Sequence, residues 1–229
     1  MAESRLNSPE IDNLQLTLDS AEEQPDLFGY DHALRSGGAV ICGIDEAGRG
    51  PLAGDVFTAA VIFDDETVIE GVNDSKKLTE KKREQLFDEI CKKARAYFIA
   101  RASVEEIESM NILAATMTAM KRAYDGLELN ADIILIDGNR KPPIEGDVRL
   151  VVKGDAKSAS IAAASILAKV ARDRYMKQQA ELYPQYGFEV HKGYGTKRHY
   201  NAVDEFGLCP IHRASFFKKY YAKKAGRDG

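Results

Sequence analysis

The chain has 229 residues, 44% of them hydrophobic, which is enough for one sizeable core; its net charge of −4 is too small to mark an acidic or a basic protein outright. No apolar run approaches the roughly 18 residues of a membrane span, and "MAESRLNSPEIDNLQ" lacks the basic and apolar regions of a secretory signal, so a soluble, cytoplasmic protein is expected, with no membrane partner. Cys42, Cys91 and Cys209 are odd in number and form no C-x-x-C pair, which argues against both a disulfide framework and a zinc knuckle.

Residues 1–38 hold eight acids and two arginines, a net of −6, leaving +2 for the rest. With no sustained hydrophobic period, this stretch reads as a flexible acidic extension. The catalytic domain is expected over 39–229. Its first elements are the runs "AVICGI" and "DVFTAAVIF", joined by a glycine-rich connection that predicts an antiparallel hairpin. After Thr79, the spacing of Phe87, Ile90, Cys91 and Ala94 predicts a helix. "AYFIA" is a third strand. Asn111 is placed to cap a helix carrying Leu113, Met117, Met120 and Tyr124 on one face. "ADIILI" and "VRLVV" are the fourth and fifth strands, and "AKSASIAAASILAKVARDRYMKQQAEL" is a long helix whose first half is nearly all small residues. Strands first, then strands alternating with helices, indicate an α/β domain: a mixed five-stranded sheet flanked by helices. The region from about 180 to 229 is turn-rich and then helical. Its segment 189–229 has nine Lys or Arg against four acids, interleaved with aromatics, a mixture that suits a nucleic-acid surface and equally a solvated basic tail.

Carboxylates stand where three apolar strands give way to polar turns: Asp45 and Glu46 in "GIDEAG", Asp137 in "LIDGN" and Asp155 in "VVKGDAKS". Singly, each is a common turn residue, and Asp155 could cap the long helix. Together they match the usual placing of sites at the carboxyl edge of parallel strands. If those strands are neighbours, the four acids meet. Such an all-oxygen set selects Mg²⁺ or Mn²⁺ over zinc or copper and suits metal-assisted phosphodiester hydrolysis. Strand neighbours point to opposite faces, so Asp45 is a direct ligand whereas Glu46 needs a bend at the strand end, a water or its backbone carbonyl.

"AGRGPLAG" lacks the G-K-[ST] ending of a P-loop. Its glycines, Gly48 and Gly50, would let backbone approach a phosphate or sugar, with Arg49 at hand, although a plain turn fits the same residues. In "HKGYGTKRH", Tyr194 sits between two glycines, either exposed to a sugar or base or folded onto the core. Lys76 in "NDSKKL" reads as a phosphate contact or a solvated lysine.

In order, "GIDEAGRGPLAG", "NDSKKLTEKKRE", "IDGN", "KGDAKSASIAAASILAKVARD", "YGFEVHKGYGTKRH" and "PIHRASF" resemble ribonuclease HII, the bacterial type 2 ribonuclease H, from about Ala39 to Phe216. The resemblance implies an RNase H-like fold with a helical C-terminal region. It implies endonucleolytic hydrolysis of RNA in RNA/DNA hybrids and 5′ of single ribonucleotides in duplex DNA, with Mg²⁺ or Mn²⁺, giving 5′-phosphate and 3′-hydroxyl ends. The family's catalytic and metal-binding acids fall on Asp45, Glu46, Asp137 and Asp155. Its substrate-reading elements fall on Gly48, Arg49, Gly50 and Tyr194; they read the 2′-hydroxyl, the group that separates RNA from DNA. A monomer is expected. Asp55 stands where the family usually has proline, and the added carboxylate is expected to weaken DNA approach slightly. "QPDLF", Gln24 to Phe28, resembles peptides that dock on bacterial sliding clamps, making a clamp a candidate partner. A rival nuclease of the same fold, and a non-catalytic hybrid-binding protein, fit fewer of these residues.

Overall fold

The computed structural model describes residues 26–35 and 37–226. Its strands are β1 (Ile41–Ala47), β2 (Val56–Ile62), β3 (Ala96–Ala102), β4 (Ile133–Asp137) and β5 (Asp147–Val151), in sheet order β3-β2-β1-β4-β5. β1 pairs antiparallel with β2 as the expected hairpin, and β2 with β3; β1, β4 and β5 run parallel. The sheet is therefore mixed, with the three acid-bearing strands adjacent.

The helices are α1 (Leu27–Leu34), α2 (Glu80–Lys93), α3 (Val104–Met110), α4 (Ile112–Asp125), α5 (Ala159–Leu182), α6 (Phe188–His191), α7 (Lys197–Phe206) and α8 (Lys218–Ala225). Asn111 caps α4 through its side-chain oxygen, as its position predicts, and the structure adds Thr79 as the cap of α2. Among the described residues, no helix is long and apolar enough to cross a membrane.

Two cores lie on opposite faces of the sheet. Cys42, Ile44, Ala60, Ile62, Ile134 and Ile136 meet α4, while Ala59 and Val61 meet the alanine-rich half of α5 together with α2. The face of α4 differs from expectation at one place. Leu113 is 36% exposed, and the buried positions are Ala115, Thr116, Ala119, Met120 and Ala123; small side chains let this helix lie close on β2 and β3. The small residues of α5 serve the same purpose on the other face. A Cβ on Gly43 would stand 2.2 Å from the Ser160 carbonyl carbon and 2.3 Å from the Ile161 nitrogen, so the start of α5 rests directly on β1.

Residues 26–35 depart from the expected flexible extension through residue 38. Leu27 is 5% exposed within the α5 core, Phe28 packs on Phe63 with ring centroids 5.8 Å apart, and buried Asp31 accepts from the Ser160 amide and hydroxyl. A short amphipathic turn with one buried acid carries little period, which is why the sequence hides it. Gln24 and Pro25, in the candidate clamp peptide, lie outside the described residues; its Leu27 and Phe28 are packed rather than displayed.

Gly43→Ala is expected to cost about 3 kcal/mol or more, because the intruding methyl meets backbone that cannot rotate away. Thermal melts will show a Tm depressed by several degrees; an unchanged Tm would mean that α5 does not bear on β1 as described.

Candidate active site

The parallel register sets the first part of the site. β1 and β4 pair Ile44 with Ile136, and one further step places Asp45 opposite Asp137 at the carboxyl ends of the strands. Strand alternation turns both toward α5, on the side of Gly43 and Leu135. Asp155 follows β5 in a 3₁₀ turn, Gly154–Ala156, whose Gly154 amide donates to Asp137 Oδ1 at 2.6 Å. It does not cap α5, since Ser158 does. Glu46 lies one residue past Asp45 and takes the Arg49 guanidinium at 3.3 Å.

These acids repel one another. Burial pushes the Asp45 carboxyl well above its ordinary range, and the charges of Glu46 and Asp137 push it further, against hydrogen bonds from Ser165 and the Glu46 amide. Burial also raises Glu46, with Arg49 opposing and Asp137 adding. Asp155 is raised by burial and then by Asp137 and Asp74, with Lys76 opposing from 3.7 Å. Hard oxygen donors that are desolvated and mutually repelling suit a divalent cation. Among the described residues, no three Asp, Glu, His or Cys side chains converge as they stand into a closed metal-binding group.

Beside the acids, a cavity of about 210 Å³ opens between Glu46, the loop Gly48–Gly50, Lys76 and Tyr194. Tyr194 is 48% exposed and lies over Gly50, where an added Cβ would stand 3.8 Å from its ring. Gly48 has φ +101°, and a Cβ there would strike the Arg172 side chain at 2.1 Å; only glycine fits. Lys76 is 79% exposed at its side chain and reaches across the mouth to Asp155.

The sequence did not mark several residues that build this site. Ser165, Lys169 and Arg172 line the cavity from α5, and Ser165 shares a 2.9 Å hydrogen bond with Ser75. Their i, i+4, i+7 spacing puts them on one helical face, a polar stripe among alanines that was available as a signal. Arg172 donates to the Ala53 and Asp55 carbonyls at 3.1 and 3.2 Å. Arg213, fully buried, donates to the carbonyls of Gly48, Arg49, Pro51 and Gly54 at 2.6 to 3.0 Å. Burial, then the neighbouring Arg172 charge, pushes its guanidinium down to about 9, still a cation at neutral pH. Asp55 is a correction. It is 5% exposed and accepts from Arg101 and the Val104 amide at 3.1 Å, so it anchors the start of α3 instead of facing nucleic acid.

Three histidines, His191, His199 and His212, lie behind Tyr194, the last two joined in a chain of hydrogen bonds. The Cys209 amide donates to His212 Nδ1 at 2.9 Å; His212 and His199 share a 3.0 Å hydrogen bond between Nε2 atoms; His199 Nδ1 reaches the Tyr194 carbonyl at 2.9 Å. A carbonyl only accepts, so His199 donates from Nδ1, and with both rings neutral His212 must donate from Nε2. Burial pushes both rings down to about 4.

Comparison with known proteins places this geometry. The family model for ribonuclease HII matches residues 42–219. The chain is similar to ribonuclease HII of Caldicellulosiruptor saccharolyticus, 55% identical over 188 residues covering 82% of this chain and 92% of that protein. It is similar to ribonuclease HII of Vibrio vulnificus, 52% identical over 197 residues covering 86% and 94%. Among solved structures, ribonuclease H2 of Pyrococcus horikoshii aligns with TM-score 0.70 at 27% identity, over 83% of this chain and all of that one. RNase HII of Archaeoglobus fulgidus, solved in complex with PCNA, aligns with TM-score 0.63 at 28% identity over 76% and 93%. Bst-RNase HIII with Mn²⁺, at 19% identity and TM-score 0.60 over 77% and 65%, shares the fold.

The histidines give a pH dependence of stability. Folded pKa values near 4 lie below the unfolded value of about 6.5, so their stabilisation is complete above pH 6.5 and is lost as pH falls through 4. Wild-type Tm is expected to fall more steeply with acid over this interval than that of His212→Gln, by about one proton per molecule. Equal slopes would mean that His212 is not held neutral.

Proposed function

The chain belongs to the ribonuclease HII family and is a ribonuclease H, an endonuclease acting on RNA/DNA hybrids, and we propose that it also incises duplex DNA 5′ of a single embedded ribonucleotide. The products of this incision are a 3′-hydroxyl and a 5′-phosphate. The observation that carries this reading is the half-exposed Tyr194 ring over Gly50, beside the acid edge of β1 and β4. A flat ring against bare backbone suits the sugar face of one nucleotide, and the 2′-hydroxyl is what such a site must recognise.

In this proposal Gly48, Arg49 and Gly50 meet the ribose and its phosphate, and Tyr194 packs on the sugar at the step from RNA to DNA. Lys76 contacts a phosphate from the opposite side of the cavity. Asp45, Glu46, Asp137 and Asp155 hold Mg²⁺ or Mn²⁺, supported by their oxygen-only donor set and mutual repulsion. Such an ion, when bound, supplies positive charge that offsets the negative charge gathering on the phosphodiester during hydrolysis. Arg49 keeps Glu46 at the cavity edge, and the Gly154 amide fixes Asp137.

Clamp binding is a second reading, favoured by the Archaeoglobus complex with PCNA. Contact through Leu27 and Phe28 would require α1 to leave its seat, because Leu27 is buried. Titrating a bacterial sliding clamp with wild type and with Leu27→Ala/Phe28→Ala tests this; absent or unchanged binding removes the peptide from the proposal.

On end-labelled duplex DNA with one ribonucleotide, cleavage is expected with Mg²⁺ or Mn²⁺ and none with EDTA. Asp45→Asn and Asp137→Asn should each lower turnover by about 10³-fold or more with no loss of metal-free Tm. Cleavage confined to long RNA tracts would remove the single-ribonucleotide activity. Separately, Tyr194→Ala should lower kcat/KM on the single-ribonucleotide duplex more than on a continuous hybrid; equal loss on both would count against its reading the junction.

A further inference from the structure

Two consecutive residues after α7, His212 and Arg213, hold both loops of the cavity. Arg213 collects the carbonyls of the Gly48–Gly54 loop, and its own amide donates to the Leu52 carbonyl at 2.8 Å. His212 forms an antiparallel bridge with Ala53 and opens the hydrogen-bonded chain that ends on the Tyr194 carbonyl.

We propose that His199 and His212 are positioning residues for Tyr194, fixing where its ring stands over Gly50 and so setting the preference for a single ribonucleotide. This rests on the proposed reading of Tyr194 and deepens it. The backbone of Tyr194 is held at both ends. Its amide donates to the His191 carbonyl at 2.8 Å, and its carbonyl accepts from His199 Nδ1 at 2.9 Å and the Thr196 amide at 2.8 Å. The Leu52 amide donates to the Gly193 carbonyl at 2.8 Å, so the tyrosine's loop is tied to the loop that carries Gly50.

The relay has one direction. It starts at the Cys209 amide, passes through His212 and His199, and ends on a carbonyl, so each ring must present one donor and one acceptor in a fixed sense. The imidazoles cannot turn to seek other partners. His199 stacks on His191 with centroids 4.5 Å apart, and Phe188 and Phe217 stand edge-on to it. A buried histidine pair serving only core packing would have no reason to deliver its single outward donor to the residue whose side chain faces the cavity. Displacing the Tyr194 carbonyl would move the ring, and small displacements of a substrate-orienting group carry large rate effects.

The test compares kcat/KM on a single-ribonucleotide duplex with that on a continuous RNA/DNA hybrid, for wild type, Tyr194→Ala, His199→Phe and His199→Asn. Phenylalanine keeps the ring and removes both hydrogen bonds, whereas asparagine can present an N–H where Nδ1 stood. His199→Phe is expected to lower the preference for the single ribonucleotide about 10-fold, chiefly through KM, and His199→Asn to restore it to within about 3-fold of wild type. A wild-type preference in His199→Phe, or no restoration in His199→Asn, overturns the proposal. Should His199→Phe not fold, His212→Gln and His212→Asn make the same comparison, since only glutamine reaches far enough to replace the Nε2 donor; equal preference in that pair overturns it too. Tyr194→Ala separates the two levels. If it leaves the preference unchanged, the reading of Tyr194 itself fails; if it lowers the preference and His199→Phe does not, only the positioning role fails.

Discussion

The site depends on the direct seating of α5 on β1. Gly43 has no side chain, and the first turn of α5 occupies the space that one would fill. This contact brings Ser165 to Asp45 and sets Lys169 and Arg172 along the cavity wall. The parallel pairing of β1 with β4 then puts Asp137 beside Asp45, and the turn after β5 adds Asp155. Backbone register thus collects three acids from distant parts of the chain with no contact between their side chains to draw them together. Those side chains repel, so the fold holds them against their own electrostatics.

The cavity's other wall is built by a different device. Residues 48–54 form a loop rich in glycine and short of hydrogen-bonded neighbours of its own. Arg213 and Arg172 supply the missing donors, one guanidinium serving four carbonyls and the other two. Among the described residues neither arginine is paired in a salt bridge, so burying these cations is offset mainly by carbonyl dipoles, with the nearby Asp55 charge assisting. The adjoining histidine chain holds the Tyr194 loop from the same C-terminal segment. The bare backbone of the Gly48–Gly54 loop and the Tyr194 loop are thus both fastened to residues of the C-terminal segment.

Much of this was legible in the sequence. The hairpin, the five strands, the cap at Asn111 and the long α5 follow from hydrophobic period and cap chemistry, and acids at three strand ends pointed to the carboxyl edge. What stayed hidden depends on contacts distant in the chain. Nothing local tells that Arg213 lies under Gly48, that His212 faces His199, or that Asp55 turns inward to Val104. The helix at Leu27–Leu34 escaped because its burial rests on Leu27 and on Asp31, an acid whose partner Ser160 lies on α5. On α4, Met117, Met120 and Tyr124 pack in the core as expected and only Leu113 does not, while alanines invisible to a search for large apolar side chains make the closest approach.

The central claim is that the acids at the ends of β1, β4 and β5 are a divalent-cation site kept under repulsion by the fold. The most direct measurement is thermal melting of wild type and Asp45→Asn with EDTA and with saturating Mn²⁺. Mn²⁺ is expected to raise the Tm of wild type by several degrees and that of Asp45→Asn much less, since a ligand that binds only the folded state stabilises it in proportion to its affinity. Without metal, Asp45→Asn should melt no lower than wild type. A wild-type Tm indifferent to Mn²⁺, or a metal-free variant that melts far below wild type, would show the acids to be structural and contradict the claim.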